Sequence, residues 1–206
     1  MRAIRQGVAH YRAHQTILQS NQLSNWVYTI HSGWALSCIL LPDGRRQIIS
    51  FLVPGDTISF ASLFQKPSNT LIKALTDITL CAFDAQKMKS LLLRPGGPRE
   101  AFDTAFSVRI IDMMHRLTDI GRRRAPGRVA NFLLGLERRL SACGLAKNGV
   151  FAFPARQEHI ADALGLTPVH VNRTLVQLRK LGVINFRKGM MEIIDRAGLQ
   201  KIADED

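Results

Sequence analysis

The stretch "GLTPVHVNRTLVQL", residues 165–178, contains the signals that start a helix after a tight turn. Gly165 permits the positive φ angle that such a turn requires. Thr167 can accept a hydrogen bond from the first backbone N–H groups of a helix, and Pro168 suits the first helical position because no N–H is needed there. We therefore predict a turn followed directly by a helix.

The predicted helix has two different faces. Apolar residues recur at helical spacing on one face, which we expect to be buried: Val171, Leu175 and Leu178. Residues of mixed polarity share the opposite face: Val169, Asn172, Arg173 and Val176. An earlier helix over residues 157–164 would bury its own apolar side chains: Ile160, Ala161 and Leu164. Two short helices joined by a glycine turn form a helix-turn-helix, whose second helix enters the DNA major groove.

The outward face suits contacts with the edges of bases. Arg173 can reach O6 and N7 of guanine, Asn172 can pair with adenine, and a valine can touch the methyl group of thymine. The candidate base-reading residues are Val169, His170, Asn172 and Arg173. Each has an ordinary alternative, since an exposed His or Asn is often only solvated and a valine can pack on a neighbouring element. No single residue indicates DNA binding by itself. The helix-turn-helix is indicated because the glycine, the cap, the proline and the buried apolar residues occur together at the right spacing.

The sequence after the second helix predicts a wing. The segment "GVINFRKGMMEII", residues 182–194, alternates around a turn at 187–189, and "VFAF" at 150–153 predicts a further strand. A winged helix-turn-helix results. Four side chains around it are candidates for contacts with DNA phosphates, although ordinary surface exposure also explains the basic ones: Arg156, Thr167, Arg187 and Lys188.

A long helix is predicted upstream, over residues 99–123. Its apolar residues are spaced four, three, four and three apart, as in a heptad repeat: Phe106, Ile110, Met113, Leu117 and Ile120. This stripe can pack on the helix's own domain or on a second copy of the chain, and the polar residues that flank it make a homodimer contact at least as good an interpretation. Because the stripe spans only about two and a half heptads, other contacts must assist it.

The segment "RRRAPGR", residues 122–128, should break this helix at Ala125-Pro126 and act as a hinge. We interpret its three consecutive arginines as a solvated helix end, with phosphate contact as the alternative. A helix over residues 128–143 would then direct five apolar side chains inward: Val129, Phe132, Leu133, Leu136 and Leu140.

The N-terminal part has the periodicity of short β-strands. Apolar and polar residues alternate over residues 11–83 between turns at "PDG" (42–44) and "PGD" (54–56), which predicts a small antiparallel roll or barrel. Asp84 can cap a short helix through Leu93. We therefore predict an α+β chain in three parts: a β-roll sensor-like domain (1–95), a dimerisation helix and hinge (96–125), and a winged helix-turn-helix DNA-binding domain (126–206).

Composition limits the class of protein. Of 206 residues, 46% are hydrophobic, which suffices for packed cores, and the net charge of +12 favours a polyanionic partner such as nucleic acid or an acidic membrane surface. The sequence has neither an apolar run of about 18 residues nor a signal peptide, so we expect a cytoplasmic protein without a membrane partner. It has no nucleophile elbow, phosphate loop or metal-binding His pair, so we expect no enzyme.

Cysteine usage predicts neither a disulfide framework nor a metal site. The three cysteines, Cys38, Cys81 and Cys143, are odd in number and far apart in the sequence. We expect all three to be reduced, buried thiols.

These segments together resemble the CRP/FNR family of bacterial transcription regulators. The likeness rests on "SGWALSCILLPDGRRQIISFLVPGD" (32–56), the long central helix and "RQEHIADALGLTPVHVNRTLVQLRKLGVI" (156–184), and it extends over about residues 11–194. The resemblance implies a homodimer joined by the central helix, a two-fold symmetric double-stranded DNA site, and RNA polymerase as a further partner. Half-sites should lie about one helical turn apart. A winged-helix module that binds protein is the alternative from another class.

The resemblance fails at the effector site. Family members that bind cyclic AMP carry a Gly-Glu pair after the "GD" turn and an Arg-Ser pair further along, whereas this chain has Ser59-Phe60 and Thr70-Leu71. Without that arginine, a cyclic phosphate loses its main charge-assisted partner. We therefore expect a degenerate effector pocket filled by Phe60 and Leu71, no cofactor, and no control by cyclic AMP.

Other effectors are open alternatives. Three scattered cysteines cannot supply the four thiolates of an iron-sulfur cluster, which oxygen-sensing relatives hold. Haem or an unidentified small molecule is the alternative, but the spacing of the histidines singles out no axial ligand: His10, His14, His31 and His115. Val169 stands where the best-known members have a glutamate, which predicts a different base pair at that point of the half-site.

Overall fold

The computed structural model describes residues 5–205 in two compact units, one that ends at Asp112 and one that begins at Met113. Both units combine helices with antiparallel strands, so the predicted α+β class is confirmed. The division of the chain into three functional parts stays a prediction.

Eight antiparallel strands form a β-roll within residues 5–112. They are β1 (Arg5–Tyr11), β2 (Thr16–Leu18), β3 (Trp26–Ser32), β4 (Ala35–Leu40), β5 (Arg46–Leu52), β6 (Thr57–Ile58), β7 (Leu71–Ala74) and β8 (Ile78–Asp84). One sheet has the order β1-β8-β3-β6 and the other β2-β7-β4-β5. Ile30 and Leu80 of the first sheet belong to the same buried cluster as Leu52 and Ile72 of the second. The predicted roll is confirmed, although its first strand begins before residue 11.

Both predicted turns connect strands of this roll. In the turn at 42–44, the N–H of Leu41 donates to the carbonyl oxygen of Arg45 at 2.7 Å, which joins β4 to β5. In the turn at 54–56, the carboxylate of Asp56 accepts a hydrogen bond from the N–H of Val53 at 2.8 Å. A short 3₁₀ helix, Phe60–Phe64, follows β6.

Two helices follow the roll: α1 (Ala85–Leu92) and α2 (Gly97–Arg122). The carboxylate of Asp84 accepts from the N–H of Lys87 at 2.9 Å, which confirms the predicted cap of α1. The prediction that α2 begins at Arg99 is wrong by two residues. Pro98 lies in the first turn, where a missing N–H removes no helical hydrogen bond.

The second unit contains the helices α3 (Ala125–Ala142), α4 (Gln157–Leu164), α5 (Pro168–Lys180) and α6 (Arg196–Asp204). Its sheet has the order β11-β12-β10-β9, made of β9 (Ala146–Lys147), β10 (Val150–Ala152), β11 (Ile184–Arg187) and β12 (Met190–Ile193). The winged helix-turn-helix is therefore confirmed as an architecture.

Helix α3 begins three residues before the predicted position. The chain leaves helical conformation at Arg123 and Arg124, and Pro126 lies in the first turn of α3 rather than at the break. The five apolar side chains predicted to point inward are all buried: Val129, Phe132, Leu133, Leu136 and Leu140.

Helix α6 was not predicted from the sequence. Its start does have a local signal, because the carboxylate of Asp195 accepts from the N–H of Gly198 at 2.9 Å. Leu199 and Ala203 are fully buried at helical spacing and pack this helix onto the second unit.

The cysteines differ in burial. All three are thiols, but only Cys38 is buried, whereas Cys81 is partly exposed and Cys143 is exposed. The expectation of three buried thiols is wrong because Cys143 is the residue that ends α3, beyond its last buried turn. No helix within residues 5–205 is long and apolar enough to cross a bilayer.

Candidate nucleic-acid interface

The helix-turn-helix has the local geometry that its sequence predicts. Gly165 has φ 63°, a left-handed conformation that glycine adopts without strain, and the N–H of Leu166 returns to the carbonyl oxygen of Ala161 at 3.1 Å. The hydroxyl of Thr167 accepts from the N–H of His170 at 3.2 Å, and Pro168 is the first residue of α5. The turn and the start of α5 are therefore set by adjacent residues.

The buried side of α5 differs from the prediction at one position. Val171 and Leu178 are completely buried as expected, but Leu175 is partly exposed and Thr174 is buried in its place. Positions three and four residues after Val171 flank the same helix face, so the spacing alone does not decide which of them turns inward. Of the predicted α4 residues, Ile160, Ala161 and Leu164 are all buried.

Three of the four residues on the outward face of α5 are exposed. The side chain of Val169 is 65% exposed, and Asn172 and Arg173 are also exposed, whereas Val176 is half-buried. His170 is exposed beside them. The Nδ2 atom of Asn172 donates to the Oε1 atom of Gln157, the first residue of α4, at 3.1 Å. Gln157 was not singled out from the sequence, because its partner lies fifteen residues away.

The start of α4 is anchored by a buried histidine. The Nδ1 atom of His159 accepts a hydrogen bond from the N–H of Arg156 at 3.1 Å, and the residue is only 7% exposed. Its Nε2 atom lies 3.6 Å from a carboxylate oxygen of Glu158. The side chain of Arg156 is 72% exposed and can extend away from the protein.

The wing carries basic residues at its tip. Lys188 has φ 50° and Gly189 has φ 75°, so both central residues of the turn between β11 and β12 are left-handed, as a two-residue hairpin of type I′ requires. Arg187 and Lys188 are exposed there. The N–H of Phe153 donates to the carbonyl oxygen of Gly189 at 2.7 Å, which ties the hairpin to the end of β10.

The junction between α2 and α3 is bridged by Arg128. Its Nε atom donates to the carbonyl oxygen of Arg123 at 2.7 Å, and its Nη1 atom donates to that of Leu164 at 3.1 Å. A Cβ atom placed on Gly165 would lie 3.5 Å from a methyl carbon of Ile120. The last turn of α2 therefore contacts the turn of the helix-turn-helix directly.

A second set of polar contacts supports the same junction. Asp119 pairs with Arg123 at 3.0 Å and accepts from Nδ2 of Asn131 at 3.1 Å, and Arg123 also donates to the carbonyl oxygen of Ala203 in α6. Burial raises the pKa of Asp119 above its ordinary value, and the neighbouring Arg123 charge opposes that shift. The interpretation of the triple arginine as a solvated helix end is wrong for Arg123, whose side chain is only 24% exposed.

Helix α2 exposes its apolar side. None of its residues is buried, and four of the five predicted stripe residues are exposed: Phe106 (46%), Ile110 (44%), Met113 (59%) and Leu117 (74%). The fifth, Ile120, is partly buried beside Gly165. Towards its own chain, α2 pairs Arg109 with Asp56 at 3.0 Å and packs the rings of Phe102 and Phe106 against Phe60. The exposure of Ile110, Met113 and Leu117 along the rest of the stripe is not expected for a surface helix of a monomer.

The positions of the expected effector pocket hold no cationic side chain. The ring of Phe60 is partly buried and packs edge-on against Phe102 and Phe106 of α2, with centroids 5.5 and 6.4 Å apart. The hydroxyl of Thr70 bonds that of Ser68 at 2.7 Å, and Leu71 is partly buried at the start of β7. Ser59 has φ 68° and borders a cavity of about 10 Å³, which is the space of a single water molecule.

The four histidines considered for haem all lie at the surface. His10, His14, His31 and His115 are all exposed, and the ring of His10 bonds the hydroxyl of Thr79 at 3.2 Å. Within the described part of the chain, no group of three or more His, Cys, Asp or Glu residues is arranged to hold a metal ion.

Comparison with known proteins identifies both units. Residues 8–94 match the cyclic nucleotide-binding domain family, and residues 127–202 match the Crp-like helix-turn-helix domain family. The nitrogen fixation regulation protein FixK of Bradyrhizobium diazoefficiens is 31% identical over 195 residues, which cover 94% of this chain and 81% of that protein. The transcriptional activatory protein AadR of Rhodopseudomonas palustris is 30% identical, covering 90% of this chain and 76% of that protein.

A solved structure shows the same architecture over nearly the full length. The structure of FixK2 from Bradyrhizobium japonicum superimposes with a TM-score of 0.84 at 28% identity, covering 95% of this chain and 96% of that one. The two matched domains and these relatives agree on one class of protein, which is not a class of enzymes. The chain belongs to the CRP/FNR family and is a DNA-binding transcription regulator.

Proposed function

We propose that the protein acts as a homodimer, joined along α2, that binds a two-fold symmetric DNA site. The observation that carries this proposal is the absence of any buried residue in α2, combined with the exposure of Phe106, Ile110, Met113 and Leu117. A stripe of four large apolar side chains in water is unfavourable, and a second copy related by a two-fold axis presents an identical stripe to cover it.

The outward face of α5 supplies the base contacts in this proposal. Arg173 reads a guanine and Asn172 reads an adenine, while His170 and the apolar Val169 contact neighbouring bases. Exposure of all four side chains on one short helix supports these roles. Because Val169 offers no hydrogen-bond acceptor, the base pair next to it is selected by shape and methyl contact rather than by a bond to cytosine.

Phosphate contacts come from three regions around α5. Arg156 lies just before α4, Thr167 caps α5, and Arg187 and Lys188 form the tip of the wing. The exposure of these basic side chains supports the assignment. Such contacts position the protein on the duplex without reading its sequence.

Binding does not depend on cyclic AMP in this proposal. The Phe60 ring packs edge-on against Phe102 and Phe106 of α2. Ser59 and Thr70 carry no positive charge that could bind a phosphate. The cavity beside Ser59 has a volume of about 10 Å³, which is the space of a single water molecule. Dimers without a small ligand are therefore expected to bind DNA.

Selection of bound duplexes from a random pool tests these assignments together. The expected product is a palindrome that is bound equally well with and without added cyclic AMP. Asymmetric products would contradict the dimer on a two-fold site, and a saturable rise in affinity with cyclic AMP would contradict the degenerate pocket.

RNA polymerase is the proposed partner of the DNA-bound dimer. The relative AadR is named a transcriptional activatory protein, which supports activation rather than repression as the outcome of binding. Transcription in vitro from a promoter that carries the selected palindrome should rise on addition of the protein. Unchanged transcription with an occupied site would contradict this partner.

A further inference from the structure

Gln157 and Asn172 join the two helices of the helix-turn-helix through their side chains. The Nδ2 atom of Asn172 donates to the Oε1 atom of Gln157 at 3.1 Å. Gln157 is half-buried at the start of α4, and Asn172 is exposed on the outward face of α5. The hydrogen bond therefore reaches from a partly enclosed side chain to the surface proposed for base contacts.

Both residues project from backbone that is held in place. Gln157 is the first residue of α4 and follows Arg156, whose N–H donates to buried His159 at 3.1 Å. Asn172 lies in α5, whose start is fixed by the cap of Thr167. The bond can thus orient the Asn172 amide without moving either helix.

The geometry suits one base in particular. An asparagine amide has two N–H donors and one carbonyl oxygen. Pairing with adenine uses the oxygen to accept from N6 and one N–H to donate to N7. The bond to Gln157 uses one N–H and restricts rotation of the amide, which leaves one donor and the acceptor, the two groups that adenine requires.

We propose that Gln157 is a positioning residue for Asn172 and thereby sets the preference for adenine at one base pair of each half-site. This inference rests on the proposed base-reading role of Asn172. When Gln157 is removed, the free Asn172 amide must lose its rotational freedom on binding DNA. The preference for adenine at that pair should fall about two- to tenfold, the range expected for ordering one side chain.

A double-mutant cycle on the full chain tests the proposal. The base pair read by Asn172 is first identified as the one at which Asn172→Ala changes the base preference. Affinity is then measured for the selected palindrome and for variants of it at that base pair. Gln157→Ala should weaken discrimination at this pair only and should have no further effect on it in the Asn172→Ala background. The matched control is Gln200→Ala, which removes the same side chain from α6, where it bonds Asp204 at 3.1 Å, and should leave base preference unchanged.

Three results would overturn the inference. If Gln157→Ala lowers the affinity for all duplexes equally, Gln157 contacts a phosphate instead. If Gln157→Ala reduces discrimination at this base pair equally in the parent chain and in Asn172→Ala, Gln157 does not act through Asn172. Unchanged preference at every pair in Asn172→Ala would remove Asn172 from base reading, so the proposed function would fail at that residue as well.

Discussion

Substituting Leu117 by glutamate should separate the proposed dimer without unfolding the protomer. Leu117 is 74% exposed, so its side chain contributes little to the core of its own chain. Complete burial of a leucine is worth about 1.5 to 3 kcal/mol. Because a two-fold interface contains the residue twice, Leu117→Glu should cost about 3 to 6 kcal/mol before the repulsion of two facing carboxylates is added.

This cost corresponds to a rise of about a hundredfold to ten-thousandfold in the dimer dissociation constant. Sedimentation equilibrium over a range of protein concentrations measures that constant, and circular dichroism checks that the protomer is still folded. Thr104→Glu is the matched control, since Thr104 is exposed on the same helix but lies about 140° around it from Leu117 at 100° per residue. Equal dissociation constants for Leu117→Glu, Thr104→Glu and the parent chain would refute the assignment of this stripe to the dimer interface.

Three further predictions address the DNA contacts and the α2–α3 junction. Arg173→Ala should cost about 1 to 3 kcal/mol on the preferred site and relax selection at one base pair, as measured by competition between duplexes; a uniform loss on all sequences would instead place Arg173 on a phosphate. Lys188→Ala should lower the slope of log affinity against log salt by about 1 while base preference stays unchanged, and a changed preference would contradict the wing as a phosphate contact. Burial raises the pKa of Asp119, so the folded state favours the protonated carboxyl. The contribution of Asp119 to stability therefore falls as the pH rises from the unfolded-state pKa of 3.8 through the higher folded-state pKa. Chemical denaturation at a series of pH values should therefore show that Asp119→Asn gains stability relative to the parent chain as the pH rises above 3.8, and a relative loss would show that the pair with Arg123 outweighs burial.

The helix-turn-helix was predictable because its signals are local. Gly165, Thr167 and Pro168 act on the adjacent backbone, and each has the predicted role in the structure. The choice between Thr174 and Leu175 was not predictable in the same way, because both follow Val171 at helical spacing and only packing against other elements decides which one is buried.

The junction between α2 and α3 depends on partners that are distant in sequence. Arg128 bonds the carbonyl oxygen of Leu164, and Arg123 bonds that of Ala203, neither of which any local pattern indicates. A run of arginines before a proline looks the same in sequence whether its side chains are solvated or buried in such contacts. The partial burial of Arg123 was therefore missed for a physical reason, namely that its acceptor lies in α6.

The apolar stripe of α2 was visible in the sequence, but the sequence did not show which surface the stripe packs against. Heptad spacing is equally compatible with packing on the same chain and on a second chain. The exposure of Leu117 and the inward pairing of Arg109 with Asp56 favour the second chain. Similarly, the resemblance to the family predicted that Phe60 stands in the place of a ligand-binding acid, and the structure adds that the Phe60 ring packs on Phe102.

The spacing of half-sites tests most directly whether a two-fold dimer reads the DNA. Insertion of about five base pairs at the centre of the selected palindrome turns one half-site by about half a helical turn. Two protomers should bind each uninterrupted duplex, and the insertion should reduce affinity to that of a single half-site. One protomer per duplex, or affinity that is indifferent to the insertion, would contradict a dimer whose recognition helices are held at a fixed separation.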